Sequence, residues 1–387
     1  MMAGEFRVDW QRTLSDIPQG LWEACFPPPL EGHWWYRALH DSGLEDQFLF
    51  LYGLISRNRE PVGIAPAFLM DVPMQLVLPP ALMPLARLLG RVRPSLLYQR
   101  TLFLGSPCAD EGCLGLLPGT DRGAAMLAVH QALRRQAREL NAPMLVWKDF
   151  PASYSVDFAR LASIERLFSL TSFPGTLADS LGSTKADYFA ALKASRRHVV
   201  KKKLRRSAEL VAVAVEVVQR PDAKVMEEIF RLFWATYEKA TTKFERLNRA
   251  FFEKLAEQPS SHFIVLRQKT DGAMLAFMLC FDFGSQVINK FIGIDYARPK
   301  QWLLYFRLWE AALDWALARG VRSIQSGQTG YAPKIEIGHR LVPLTNYCAH
   351  RNPLVHWIYA QVAKSVSWAT LDPDLARYLD AHLDKPK

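Results

Sequence analysis

No stretch of about 18 residues in this chain is both apolar and free of charge, so no window reads as a membrane-spanning helix. The longest clean apolar run, Ala273–Phe281, is nine residues, the length of a strand. Residues Met1–Trp10 lack the apolar stretch of a secretory signal. Cysteine is scarce: five residues, an odd number, scattered at 25, 108, 113, 280 and 348. That argues against a disulfide framework and for a reducing compartment. The expected location is cytoplasmic. Cys108 and Cys113 stand close, but no Cys or His pair follows at zinc spacing, so no metal site is expected. The G-x-S-x-G, H-E-x-x-H and P-loop patterns are all missing. Cys348 and His350 lie two apart with no orienting acid, which makes a weak nucleophile pair.

What remains is a globular composition, 50% hydrophobic and 22% charged over 387 residues, enough for two or three domains. Strands are expected at Phe48–Ile55, Val62–Met70 and Thr101–Leu104, then a helix over Arg122–Leu140 and a strand at Pro143–Trp147. The first forty residues read as helical and aromatic-rich. The same order recurs further on: strands at His262–Arg267, Met274–Asp282 and Val287–Asp295, a helix over Trp302–Arg319 ended by Gly320, and a strand at Val321–Gln325. Asp271-Gly272 supplies the turn between the first two of these strands. The expected fold is mixed α/β in two similar domains, 1–180 and 181–387. The first carries an apolar, proline-broken insertion at 76–97, which also reads as a basic flap for a lipid or acyl group.

The net charge of +10 is clustered. Lys185–Arg206 reads as one helix. Its basic run holds Lys193, Arg196, Arg197, Lys201, Lys202, Lys203, Arg205 and Arg206, with His198 among them and no acid between. A solvated face normally mixes signs. The segment therefore reads as an anion-binding helix for phosphates, tRNA or an anionic membrane surface, the last placing the protein peripherally at the inner membrane face. No aromatic interrupts it, so base stacking is not indicated.

The densest polar cluster is Ser323–Asn346. It contains Gly327, Gln328, Gly330, Tyr331, Lys334, Glu336, Gly338, His339 and Asn346, and it follows a strand end, where α/β sites gather.

Several segments together resemble the FemAB-like N-acyltransferases of the wider GNAT superfamily. They are Phe291–Tyr296, Trp302–Phe306, Gln325–Gly330 with Lys334, Gly338-His339 and Pro343–Asn346, with Tyr188-Phe189, Leu192 and Arg196-Arg197 ahead of them. The likeness covers residues 185–360. For residues 1–184 it rests on element order. The resemblance implies tandem GNAT-like domains, each a central mixed sheet flanked by helices. It implies transfer of an acyl or aminoacyl group to an amine on a small or cell-envelope-precursor-like acceptor. The donor, acyl-CoA or aminoacyl-tRNA, would be a co-substrate, with no tightly bound cofactor.

The family's glycine loop after the fourth strand is absent, since Asp295–Lys300 has no glycine. Arg298 and Lys300 could hold a donor phosphate by charge instead. Amine attack on an ester or thioester needs proton removal, oxyanion donors and a proton for the leaving group. Candidate bases are Asp295, Glu336 and His339, and candidate acids are Tyr296 and Tyr305. Lys290, Gln328, Lys334, Gly327 and Asn346 are candidates for binding. The alternative is a GNAT-like module that binds a phosphorylated, lipid-linked or RNA ligand without catalysis.

Overall fold

A computed structural model describes residues 5–74, 97–240, 243 and 245–383. The insertion expected at 76–97 lies outside the described residues apart from its last residue. In chain order the elements begin with β1 (Phe6–Gln11), α1 (Gln19–Cys25), α2 (His33–His40), β2 (Leu49–Arg57), β3 (Glu60–Pro73) and β4 (Tyr98–Leu104). Next come β5 (Gly115–Leu116), α3 (Arg122–Glu139), β6 (Met144–Pro151), α4 (Ser155–Ile164), β7 (Phe168–Thr171) and β8 (Gly175–Ala178). They continue with α5 (Lys185–Ala191), α6 (Ala194–Leu210), β9 (Val213–Val218), α7 (Ala223–Lys239), α8 (Arg249–Ala256), β10 (Ser261–Gln268) and β11 (Met274–Asp282). The last are β12 (Gln286–Ile294), α9 (Leu304–Leu317), β13 (Ser323–Ser326), α10 (Tyr331–Glu336), β14 (Arg340–Val342), β15 (Leu344–His350), α11 (Pro353–Ala363), α12 (Trp368–Leu371) and α13 (Pro373–Leu383).

Two compact units result. One comprises residues 1–173, 244–246 and 343–371, the other 174–243, 247–342 and 372–387. The second unit thus begins at residue 174, and the segment 343–371 belongs to the first unit. Within that unit the strand order is β1-β2-β3-β4-β6-β15-β7, with β5 on β3. Within the second it is β14-β8-β13-β12-β11-β10-β9.

Among the described residues each sheet has one parallel pair, β4 with β6 and β12 with β13, and the other pairs are antiparallel. A parallel neighbour needs a crossover, and α3 and α9 supply it. Helix α3 starts where the Asp121 carboxylate accepts the Ala124 amide at 3.0 Å. Helix α9 places Leu308, Ala311, Ala312 and Trp315 at helical spacing against the sheet. Gly320, with φ +71°, ends it in the left-handed conformation glycine permits. The recurring order read from the sequence is present in both units, and Met274–Asp282 has the expected bounds.

Two expectations change. Phe6–Gln11 is a strand paired with β2, not helix; the residues from Phe6 to Gln11 pair with Arg57 to Tyr52. The helix expected over Lys185–Arg206 is two helices, because Leu192 is extended, with ψ 143°. Leu192 is buried against Gly338, where a Cβ would come within 2.4 Å of its side chain. Packing therefore breaks a pattern that local periodicity alone would continue.

Candidate active site

The parallel pair of the second unit stops early. Its register runs from Gln286↔Ser323 to Asn289↔Ser326, and then β13 ends. β12 continues to Ile294 without that neighbour. At the same point β12 carries a bulge: Cys280 faces Asn289 and Leu279 faces Phe291, so Lys290 is the extra residue. A bulge bends and twists its strand. The sheet therefore opens between β12 and β13 beyond Asn289 and Ser326.

A chain of buried polar groups lies at this opening. Asn289 Nδ2 donates to Ser326 Oγ at 3.2 Å, and Ser326 Oγ stands 3.2 Å from His339 Nε2. The indole of Trp309 packs edge-on against His339, with ring centroids 4.7 Å apart. Trp309 Nε1 donates to the Tyr188 hydroxyl at 3.1 Å, which in turn donates to the Ile337 carbonyl. Thr176 Oγ1 donates to the Ser326 carbonyl at 2.5 Å, tying β8 to the end of β13. Lys334, nearly buried on α10, donates to the Gly327 carbonyl.

Asn289 Oδ1 and His339 Nδ1 of this cluster have no partner among the described residues, and neither has the Tyr305 hydroxyl on α9. Buried polar atoms are nearly always satisfied, so the two at the ends of the Asn289–Ser326–His339 chain stand out. Burial, reinforced by the Lys334 ammonium, lowers the His339 pKa to about 3. His339 is therefore neutral at pH 7 and a weak proton acceptor. Burial also raises the Tyr305 phenol well above its ordinary value, so it stays protonated.

The other expected residues divide plainly. The Asp295 carboxylate accepts the Ala297 amide at 3.1 Å and Arg298 Nε at 3.1 Å, which closes its own turn. Tyr296 is on the surface with the Lys239 ammonium 3.6 Å over its ring. Glu336 pairs with Lys203 at 2.6 Å. Lys290 is half-buried at the bulge, Gln328 is half-buried in the turn after β13, and Lys300 is exposed ahead of α9. That turn holds Thr329 and Gly330 left-handed, at φ +70° and +62°. Asn346 lies in the first unit on β15, where its Oδ1 accepts the Asp149 amide at 2.7 Å. Gly293 serves packing: a Cβ there would meet the Phe277 ring at 2.4 Å and the α7 backbone at 2.6 Å.

The basic helix is also sorted. Arg197 reaches the carbonyls of Phe189 and Ala190 at 3.4 and 3.3 Å, capping α5. Lys201 lies over Phe189 and Lys203 over Phe306. Lys202, Arg205 and Arg206 are exposed, Arg196 is half-buried, and none of the four has a carboxylate partner among the described residues.

Sequence reasoning missed Asn289 and the Ser326–His339 contact. The signal was there: an Asn beside a Lys inside an otherwise apolar strand. In the first unit the equivalent place is filled. The β4–β6 pair ends at Leu104↔Trp147, and a Cβ on Gly112 would stand 2.1 Å from the Lys148 carbonyl, so the loop around Gly112 packs on the strand end.

A mixed sheet whose one parallel pair is joined by a crossover helix defines an acyltransferase-type fold, here present twice, with the pair standing open in the second unit. Residues 194–333 match the family model of the acetyltransferase (GNAT) domain. FemX superposes with a TM-score of 0.58 at 11% identity, over 91% of this chain and 100% of FemX. A tandem GNAT protein from the clavulanic acid biosynthesis pathway gives 0.51 at 13% identity, over 90% and 99%. A conserved protein of unknown function from Bacteroides thetaiotaomicron gives 0.52 at 10% identity, over 89% and 99%. No curated protein matches the chain. The chain has the FemAB-like GNAT fold, as two tandem GNAT-like domains.

Proposed function

We propose that this chain transfers an acyl or aminoacyl group from an activated donor, an acyl-CoA thioester or an aminoacyl-tRNA, to an amine of a small or cell-envelope-precursor-like acceptor. The observation that carries this reading is the opened β12–β13 pair with unpartnered polar atoms at its mouth. In this reading the reacting ester or thioester enters between the strands. The acceptor nitrogen attacks its carbonyl carbon directly, forming the C–N bond, and the C–S or C–O bond then breaks. No enzyme nucleophile is needed. Cys280 and Cys348 are buried, and burial raises both thiols far above their ordinary value.

Asn289 Oδ1, an acceptor without a donor, suits an amine N–H. Ser326 and His339 hold Asn289 in place. The nitrogen becomes acidic once it has added to the carbonyl, so a weak acceptor or water can take its proton. The Lys334 ammonium offers charge to the developing oxyanion. The Tyr305 hydroxyl supplies the proton to the leaving sulfur or oxygen.

The donor's phosphates have a second support. Helix α9 follows Leu303, at φ +52°, with no side-chain cap; the Phe306 amide donates to the Leu303 carbonyl at 2.9 Å, which leaves the Leu304 and Tyr305 amides to an anion. Arg298 and Lys300 precede it. Lys202, Arg205 and Arg206 on α6 suit the phosphates of a tRNA donor.

The test is transfer of radiolabel to a panel of amines from acyl-CoA thioesters of graded length and from charged tRNA. Turnover of one donor class supports the reading and names the donor. Saturable binding of either donor with no turnover on any amine would replace it with a non-catalytic binding module.

A further inference from the structure

The first unit holds a cavity of about 450 Å³, lined by none of the residues assigned above. Its walls come from α3, the segment after α4, and the turn from β15 into α11. Four arginines line it: Arg134, Arg138, Arg166 and Arg351. The one carboxylate among the lining residues is Glu165, and it is bound to Arg134 at 2.5 Å. Arg138, Arg166 and Arg351 have no carboxylate partner among the described residues. Two histidines add donors. His130 Nδ1 accepts Trp147 Nε1 at 3.2 Å, and His356 Nδ1 accepts the His350 amide at 3.3 Å. Each ring in its neutral form therefore carries its proton on Nε2. The lining is cationic and rich in donors, which is the chemistry of a phosphate site.

The same turn leads into an unusual helix. Pro353 and His356 of α11 line the cavity, while Val355, Tyr359 and Val362 are its half-buried side. The opposite face shows Leu354, Trp357 and Ile358, at 66%, 60% and 40% exposure and at helical spacing. Ile164, on the cavity wall, is 64% exposed. A helix facing only water carries polar residues there. An apolar face with Trp, flanked by arginines, is the pattern of a helix lying in a membrane interface.

We propose that the first unit docks on an anionic phospholipid surface. Leu354, Trp357 and Ile358 enter the boundary of headgroups and acyl chains, and Arg138, Arg166 and Arg351 take the lipid phosphates at the cavity. Two other occupants fit less well. An RNA would use the arginines but gives Leu354 and Ile358 no task. A second copy joined through this face by a two-fold contact would bring the two arginine clusters together. The proposal does not use α6 and does not depend on the transfer reaction.

The test is sedimentation of the full chain with phosphatidylcholine vesicles, alone or with about 30% phosphatidylglycerol. Binding is expected only with the anionic lipid and should weaken with salt. Leu354→Ser, Trp357→Ser and Ile358→Ser together should lower the affinity about tenfold or more. Arg166→Gln with Arg351→Gln should remove the preference for the anionic lipid. All five side chains are exposed, and an unchanged melting temperature confirms that the fold survives. Four results would overturn the proposal: no vesicle binding by the natural chain, undiminished binding by the apolar variant, loss on mutating Lys202, Arg205 and Arg206 instead, or a dimer that the apolar variant dissolves without any effect on vesicles.

Discussion

Tyr305→Phe separates stability from chemistry in one substitution. The ring is half-buried near the start of α9, and its buried hydroxyl meets no partner among the described residues. A buried hydroxyl without a hydrogen bond costs about 1–3 kcal/mol. Phenylalanine keeps the ring and removes that cost, so the variant should be more stable by about 1 kcal/mol. For a cooperative unit of roughly 150–250 residues this raises Tm by about 2–4 °C. If the hydroxyl gives its proton to the leaving group, transfer should fall by about 100-fold, at the lower end of general-acid effects. Both are measured on the same preparation, by differential scanning calorimetry and by transfer from whichever donor is turned over. A lower Tm would mean that the hydroxyl is satisfied in the folded state. A raised Tm with unchanged transfer would refute the proton role and leave Tyr305 as packing.

Lys334→Met keeps the buried stem and removes the ammonium. Transfer should fall about tenfold, and the His339 pKa, followed by NMR, should rise above about 3, since Lys334 helps depress it. Gly293→Ala should cost about 1–3 kcal/mol of stability, because the new methyl meets Phe277 and the α7 backbone; an unchanged Tm would show that α7 can shift away. Lys202→Gln, Arg205→Gln and Arg206→Gln together should weaken tRNA binding and flatten its salt dependence, read by filter binding over a salt series; an unaltered slope would exclude α6 from the contact. Acid should destabilise the fold through two histidines. His130 and His339 have folded pKa values lowered to about 4 and about 3, against about 6.5 unfolded. The unfolded chain therefore binds more protons between pH 6.5 and these values, and stability is lost as pH falls through that window. Each group contributes a slope of about 1.4 kcal/mol per pH unit. His130→Gln should flatten the stability profile between pH 6.5 and 4 in denaturant titrations, and an identical slope would refute the assignment.

Much of each unit was legible where the signal is local. β11 reads as an unbroken apolar strand because both its faces are covered. α9 reads as a helix because Leu308, Ala311, Ala312 and Trp315 share one stripe and Gly320 stops it. The failures are all non-local. Phe6–Gln11 is a strand because β2 pairs with it about fifty residues later, and its own aromatics suit either state. The break at Leu192 is imposed by Gly338, far along the chain. Asn346 stood near Lys334 and His339 in the sequence, but Pro343 begins the segment that belongs to the first unit, where β15 holds Asn346 against Asp149. The polar cluster around β13 was visible as composition. The role of Asn289 was not, because it depends on where β13 stops beside β12.

The threading of the chain through its two units has a consequence during synthesis. β15 lies between β6 and β7 and pairs with both. Until residues 344–350 leave the ribosome, β6 and β7 each keep an open edge, although nearly all the rest of the first sheet has long been made. Open edges invite pairing with other chains, and contacts so distant in sequence form slowly. The nascent protein must therefore carry a half-closed sheet through the whole production of its second unit. A chaperone that shields strand edges would act on it over that interval. A chain stopped near residue 340 should aggregate even though its second unit lacks little more than a short strand and a helix.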